Sequence, residues 1–406
     1  MEFIREKIKE KPISKRRIMM KVGIAALCGL AFALTVCIVL LIAIPLIKDK
    51  LPNDSSALAT ESEMGSEVTE SPGGLIIPPD FNLSVNDYQT LQDELYRIGN
   101  FANKSIVTVT PMENEKDWLT NGHEAVGQGS GLIIAEDSNY IYVLTERKII
   151  ADAAHIRVSF VDGAGASATM LKHDGNTGMA VLTVEKRHVK PATYREIRVA
   201  KLGSMQPVMN GAVIIALGSP LGTNYSILTG NITSIENEVM TRDKNYSIFT
   251  TDIVGTKNGS GVLINTNGEV IGIVMQSLNS SQDASALTAV AYTEIASLVE
   301  QLRNGKSIPY VGTYISTITD DISKDYEIPK GVFIREVAMD SPAMKAGLQS
   351  GDVITHINGE AVLTDGLFSE KISQLIPGTT CEISVKRQNG NEYYEVKCTV
   401  TIGVLE

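Results

Sequence analysis

Residues 250–276 read TTDIVGTKNGSGVLINTNGEVIGIVMQ. GVLI and VIGIVM are apolar, rich in β-branched residues and too short for helices. They flank Asn265-Thr266-Asn267-Gly268, so the segment reads as strand, tight turn, strand. Working outward, the same grammar recurs from about residue 104 to 290, in SIVTVT, GLIIAEDSNYIYVLT, HIRVSFVDG, MAVLTVE, AVIIALGSP, YSIFTTD and LTAVAY. Short strands at roughly 8–12-residue spacing, punctuated by Gly, Asn and Asp, indicate a mostly β fold of the sandwich or barrel kind. Asn86–Gln89 resembles a capping box opening a helix over 87–98. YTEIASLVEQLRN, at 292–304, has helical periodicity and stops at Gly305. A second, smaller unit runs from about 308 to the C-terminus.

The chain has 406 residues and a net charge of −11, with 36 Lys+Arg and 47 Asp+Glu. Residues 1–21 concentrate Arg5, Lys7, Lys9, Lys11, Lys15, Arg16, Arg17 and Lys21 against Glu2, Glu6 and Glu10, so the remainder is more acidic than the whole. A globular part of that charge lacks the clustered cations that phosphate backbones need, which excludes nucleic acid as a general partner. Residues 22–47 are uncharged and apolar, long enough to cross a bilayer with some tilt and too long for a signal-peptide core. The basic cluster before them predicts a cytoplasmic N-terminus, a single-pass anchor in the cell membrane and an extracytoplasmic bulk. Residues 48–85 are rich in Ser, Thr, Glu, Pro and Gly and read as a disordered linker.

Cys28 and Cys37 fall in the apolar run. Cys381 and Cys398 flank Asn389-Gly390, a type I′ turn signature. With those two residues as the loop, the cysteines face each other at the short edge of disulfide geometry. The sequence leaves open a disulfide or two reduced core thiols. No metal-ligand spacing, phosphate loop or dinucleotide loop occurs, so neither metal nor cofactor is expected.

GQGSGLIIAEDSNYIYVLTERKIIADAAHIRVSFVDG (127–163), LKHDGNTGMAVL (171–182), AKLGSMQPVMNGAVIIALGSPLGTNYSILTGNIT (200–233) and TTDIVGTKNGSGVLINTNGEVIGI (250–273) together resemble the HtrA/DegP serine proteases. The resemblance spans about 300 residues with its landmarks in order. It implies a trypsin-like domain of two six-stranded barrels over 86–304 and a PDZ domain over 305–406, behind the basic tail, the transmembrane helix and the linker.

Acyl transfer on this fold needs a serine, a histidine, an aspartate and backbone N–H groups for the oxyanion. Carried over motif by motif, the histidine position is Lys148, the aspartate position Gly178 and the nucleophile position Gly259. All three are replaced. Ser260 stands one residue on, in a segment one residue short, and a Ser260–Lys148 dyad is the alternative. The five histidines offer no other base: His155 falls where the I-x-V strand begins, His173 sits beside Asp174 before the aspartate loop, and His123, His188 and His356 lie in loop or strand contexts without matching partners.

GVFIREVAMDSPAMKAGLQSGDVITHINGEAV, at 331–362, resembles the PDZ domain of the same family. PDZ domains add a chain end as an edge strand and hold its carboxylate on one loop. Here that loop is Tyr310-Val311-Gly312-Thr313, with Thr313 where the family has an apolar residue, and Ser341-Pro342-Ala343 is expected to start the helix beside the groove. The groove either takes C-terminal or unfolded peptide segments or lies covered by the chain's own barrel. The resemblance further implies a homotrimer or an association with an active relative. The sequence thus reads as a membrane-anchored HtrA-like pseudoprotease serving as a peptide-binding or quality-control scaffold. The alternatives are an endopeptidase using Ser260 and Lys148, and a transmembrane peptide sensor.

Overall fold

The structure, a computed structural model, describes residues 84–113, 127–151, 153–203, 208–278, 285–390 and 392–405. The basic tail, the 22–47 run, nearly all of the linker and His123 lie outside those residues. Among the described residues no helix is long and apolar enough to cross a membrane.

The first helix, α1 (Val85–Ala102), begins earlier and runs longer than the sequence suggests. Its cap is Ser84, not Asn86: the Ser84 hydroxyl accepts from Asp87 N–H, and the Asp87 carboxylate accepts from Ser84 N–H at 2.8 Å. A hydroxyl with an acid three residues on satisfies two free N–H groups reciprocally. The helix continues to Ala102 because Leu95 and Ile98 pack into the core.

Twelve strands then form two closed barrels of six, as the resemblance implies. The first contains β1 (Ile106–Met112), β2 (Gly129–Glu136), β3 (Tyr140–Glu146), β4 (His155–Ser159), β5 (Gly165–His173) and β6 (Met179–Glu185), with the short helix α2 (Arg147–Ile150) after β3 and α3 (Pro191–Glu196) after β6. The second contains β7 (Val213–Ser219), β8 (Ser226–Thr241), β9 (Lys244–Val254), β10 (Ser260–Ile264), β11 (Val270–Met275) and β12 (Ala286–Ala291), followed by α4 (Tyr292–Arg303). In each barrel a three-strand meander meets three strands in reversed order, as β1-β2-β3-β6-β5-β4 and β10-β11-β12-β9-β8-β7.

Strands with two apolar faces explain the continuous runs in the sequence. Along β7, Ile214 and Ala216 fill the second barrel, whereas Ile215 and Leu217 join a separate core with Leu132 and Leu144 of the first. Along β6, Ala180 and Leu182 face inward while Met179 and Val181 join that shared core. The core welds the two barrels and takes in Leu95 of α1 and Ile295, Val299 and Leu302 of α4. Each fully buried side chain of this size contributes about 1.5–3 kcal/mol.

The C-terminal part starts with β13 (Pro309–Tyr310) and β14 (Thr313–Thr317), then α5 (Asp320–Asp325), β15 (Val332–Val337), α6 (Pro342–Lys345), β16 (Val353–Ile357), β17 (Glu360–Ala361), α7 (Asp365–Ser373), β18 (Thr380–Asn389), β19 (Glu392–Thr401) and β20 (Gly403–Val404). Its sheet runs β14-β15-β16-β18-β19, leaving β14 at an edge, and β13 pairs with β20. Phe368 and Ile372 of α7 pack on Ile315, Ile334 and Ile383.

The β18–β19 hairpin corrects the expected cysteine pairing. Asn389 pairs with Glu392, so the loop lies one residue further on than Asn389-Gly390. Cys381 consequently faces Val400 and Cys398 faces Ile383, and both thiols are free and buried. A shift of two in the pair sum keeps both side chains on the apolar face, so the core is preserved while the cysteines move off each other. Burial pushes the Cys381 thiol up to about 11 and raises Cys398 as well.

Candidate functional site

Two regions hold the residues singled out by the sequence: the seam between the barrels and the loop between β13 and β14.

At the seam, Lys148 sits in α2, directly after β3. Its ammonium pairs with Glu146 Oε2 at 2.7 Å; the Lys148 side chain is 36% exposed and that of Glu146 only 6%. Glu146 Oε1 is buried and has no hydrogen-bond partner among the described residues. Burial pushes the Glu146 carboxyl above the usual carboxylate range, and Lys148 offsets this only in part.

Gly178 adjoins this helix: its carbonyl accepts from Arg147 N–H at 2.6 Å, and its own N–H donates to Asp174 O at 3.0 Å. Its φ of +73° is a left-handed conformation that glycine adopts without strain. Asp174 is buried, and its carboxylate accepts from Thr177 N–H and Oγ1 at 2.8 and 2.7 Å, shaping its own loop.

Gly259 and Ser260 enter from the second barrel. The Gly259 N–H donates to Thr256 O at 2.8 Å, and Thr256 N–H donates to Pro220 O at 2.9 Å. A Cβ at 259 would lie 2.7 Å from Pro220 O and 2.9 Å from Thr256 O, so the backbone leaves no room for a side chain there. Ser260 opens β10, is 2% exposed, and its Oγ accepts from Ser130 N–H at 2.9 Å. The Ser130 hydroxyl donates to Asn224 Oδ1 at 2.7 Å, and Asn224 Nδ2 donates to Thr108 Oγ1 at 2.6 Å. Ser260 therefore anchors a polar strip that ties the second barrel to β2 and β1 of the first.

The structure brings Lys148, Gly178 and Ser260 to one seam, but no hydrogen bond joins Ser260 to Lys148 among the described residues. The space lined by Ser130, Thr145, Glu146 and Ser260 is about 20 Å³. That is far below the roughly 300 Å³ at which small-ligand pockets begin.

The other region is built differently. Thr241 and Lys244 pair at the end of the β8–β9 hairpin, which leaves Arg242-Asp243 as its tip. Asp243, 6% exposed, adopts a φ of +61°. The left-handed region tolerates aspartate better than most residues. The tip reaches the loop named by the sequence. Val311 N–H donates to Asp243 Oδ2 at 2.7 Å, and Gly312 N–H reaches Oδ2 at 2.8 Å and Oδ1 at 3.0 Å. Thr313 N–H and Thr313 Oγ1 each donate to Oδ1 at 2.8 Å. Every facing group is a donor, which suits the acceptor-only carboxylate. Burial nonetheless pushes Asp243 up, opposed by these same bonds.

The backbone of the tip is held as well. Asp243 N–H donates to Thr313 O at 2.6 Å, Ser369 Oγ of α7 donates to Asp243 O at 2.6 Å, and Asn176 Nδ2 donates to Arg242 O at 2.7 Å. Two residues on, Asn245 Nδ2 donates to Ile315 O at 3.2 Å and to Asp365 Oδ2 at 2.8 Å. Beside the tip lies a cavity of about 350 Å³, lined in part by Lys244, Glu294, Asp365 and Ser369. Lys244 donates to Glu294 O at 2.5 Å, and burial draws its ammonium below the usual lysine range.

This arrangement corrects one expectation and adds one residue. Ser341 does cap α6, but α6 supports the loop through Ala343 N–H to Val311 O at 2.9 Å. The helix flanking the tip and β14 is α7. Asp243 went unnoticed in the sequence, where Arg242-Asp243-Lys244 reads as an ordinary polar turn.

Two closed six-stranded barrels with a shared seam, followed by a sheet domain with a loop of converging N–H groups, define a trypsin-like peptidase fold joined to a PDZ domain. A trypsin-like peptidase domain family matches residues 129–273, and a PDZ domain family matches residues 270–398. The chain is an HtrA/DegP-like protein of the trypsin-like serine-protease class with a PDZ domain. It is 31% identical over 281 residues to a probable periplasmic serine endoprotease DegP-like of Halomonas elongata, covering 68% of this chain and 56% of the relative. It is 27% identical over 286 residues to the serine protease Do-like HtrA of Bacillus subtilis, covering 66% of this chain and 62% of that one. The chain thus spans little more than half the length of the curated relatives it matches. Among solved structures, the serine endoprotease from Yersinia pestis superposes with a TM-score of 0.52 at 22% identity, covering 77% of this chain and 98% of that one. The HtrA-type protease AlgW with decapeptide gives 0.52 at 20% identity, covering 76% and 98%. At such identities the likeness is one of fold.

Proposed function

We propose that this protein is an HtrA-like pseudoprotease, held in the cell membrane by residues 22–47, with its barrels and PDZ domain outside the cytoplasm as a peptide-binding scaffold. One observation carries the reading: at the family's nucleophile position the Gly259 N–H, the donor an oxyanion would need, is bonded to Thr256 O, and no side chain fits there. The commitment of Lys148 to Glu146 and of Ser260 Oγ to Ser130 N–H supports it. Lysine acts as a base only when burial depresses its pKa, and Lys148 is partly exposed beside a carboxylate. Peptide binding is supported by the PDZ match and by the HtrA-type protease AlgW, a protein of the same fold solved with a decapeptide.

The test is to incubate the full chain in detergent with unfolded casein and with a serine-directed phosphonate, beside Ser260→Ala. The expected result is neither cleavage nor labelling in either protein. Cleavage or labelling that Ser260→Ala abolishes would instead overturn the pseudoprotease reading and make Ser260 an unconventional nucleophile.

A further inference from the structure

The PDZ loop already holds a carboxylate, supplied by the chain itself. We propose that the β8–β9 tip is an internal ligand of the PDZ site, with the Asp243 side chain standing where the terminal carboxylate of a bound peptide would stand, so that a free chain end binds only by displacing it. The inference rests on the peptide-binding reading of the Tyr310–Thr313 loop.

The geometry matches edge-strand recognition at the carboxylate, with single bonds to edge strand β14 in place of a β-ladder among the described residues. Such ligands place a carboxylate on the loop N–H groups and extend along the exposed edge strand, bonding its backbone at alternate residues. Here Asp243 takes the N–H groups of Val311, Gly312 and Thr313. The same segment then bonds Thr313 O through Asp243 N–H and Ile315 O through Asn245 Nδ2, two residues apart on edge strand β14. The Thr313 hydroxyl, at the position where an apolar residue was expected, adds a further donor to Asp243 Oδ1. Ser369 and Asp365 of α7 close the tip in from the other side.

A ligand tethered through a folded hairpin acts at a high effective concentration, of order millimolar or above. A free peptide therefore binds with an apparent affinity reduced by the fraction of molecules in which the tip is out. A peptide too weak to compete leaves the site closed.

The experiment compares the full wild-type chain with Asp243→Gly and Asp243→Asn. Glycine removes the carboxylate and accepts the left-handed backbone at 243 without strain. Asparagine keeps the side-chain bulk and that backbone but loses the charge. Two readouts are taken: hydrogen exchange of the Val311, Gly312 and Thr313 amides, and fluorescence anisotropy of a labelled decapeptide pool with randomised C-terminal residues and free carboxylates, beside the same pool amidated. The expected result is exchange faster by about tenfold or more at those three amides in Asp243→Gly, with Ile334 and Val385 unchanged. The free-acid pool should bind at least about tenfold more tightly than to wild type, and the amidated pool should not. Asp243→Asn should fall between the two, and it carries the comparison if glycine also exposes Ile334 and Val385. Wild-type amides exchanging as fast as those of the variant, or wild type binding the pool as tightly, would overturn the internal ligand. Released amides with no pool bound would leave the internal ligand standing and refute the peptide-binding reading instead.

Discussion

The turn at Gly259 and the loop at Gly312 each carry backbone N–H groups of the kind that hold a negatively charged oxygen, and each has its donors in use. At Gly259 the acceptor is Thr256 O, three residues upstream in the same turn. At Gly312 it is a side chain sixty-nine residues away. The difference is one of reversibility. A donor satisfied inside its own turn is released only by rebuilding that turn, with the Pro220 and Thr256 carbonyls closing over it. A donor satisfied by a side chain from another element can exchange that partner for a ligand while the loop stays folded. The trypsin-like seam is closed by its own backbone, whereas the PDZ loop is closed by a replaceable group.

The largest effect that can break this comparison comes from placing the family's triad residues at the positions we propose for them. Gly259→Ser forces a Cβ against two carbonyls and should cost about 1–3 kcal/mol, read as a lower urea midpoint. The triple variant Lys148→His, Gly178→Asp, Gly259→Ser should cleave no casein; cleavage would show that the turn reopens readily and that three residue changes suffice for activity.

Next comes Ser260→Ala, which leaves the buried Ser130 N–H without its acceptor. It should cost about 1–3 kcal/mol in chemical denaturation. A neutral result would mean that Ser260 is not holding the barrels together and would weaken the contrast with the PDZ loop.

A smaller effect is expected from Glu146→Gln, and its size depends on pH. The folded-state carboxyl titrates above its usual value of 4.5 because of burial. Below the unfolded pKa the acid is neutral in both states and carries no charge-burial cost; as pH rises through the folded pKa that cost appears. Wild type should therefore lose stability relative to Glu146→Gln as pH rises above the usual carboxylate range. The opposite trend in paired urea titrations would make the Lys148 bridge the dominant interaction.

The smallest effect belongs to the PDZ core. With Cys381 and Cys398 free and diagonal to each other, reductant should leave the melting temperature unchanged. Iodoacetamide added after denaturation without reductant should label both. A reductant-sensitive melt would mean that the hairpin adopts the other register.

Much of the architecture was legible because its signals are local. Runs such as MAVLTVE alternate between two buried faces and are bounded by turn residues, which is enough to read strands, and α4 shows its periodicity and its stop at Gly305. Elements set by competition between neighbours were less so. Ser84 outcompeted Asn86 as cap through its reciprocal bond with Asp87, and the β18–β19 loop settled one residue beyond Asn389-Gly390. Lys148, Gly178 and Ser260 could be located by motif, but not the partners their polar groups take.

By itself, then, the sequence determined the succession of strands along the chain and the two-part division into barrels and PDZ domain, since these follow from spacing and side-chain type along the chain. Only the tertiary structure decided that Gly259 has its N–H and its side-chain space closed off, that Lys148 turns to Glu146, and that Asp243 fills the PDZ loop. Each of those is a contact across a turn or between elements. Such contacts are set by close packing and by the need of buried N–H groups for an acceptor, and no periodicity in the chain encodes them.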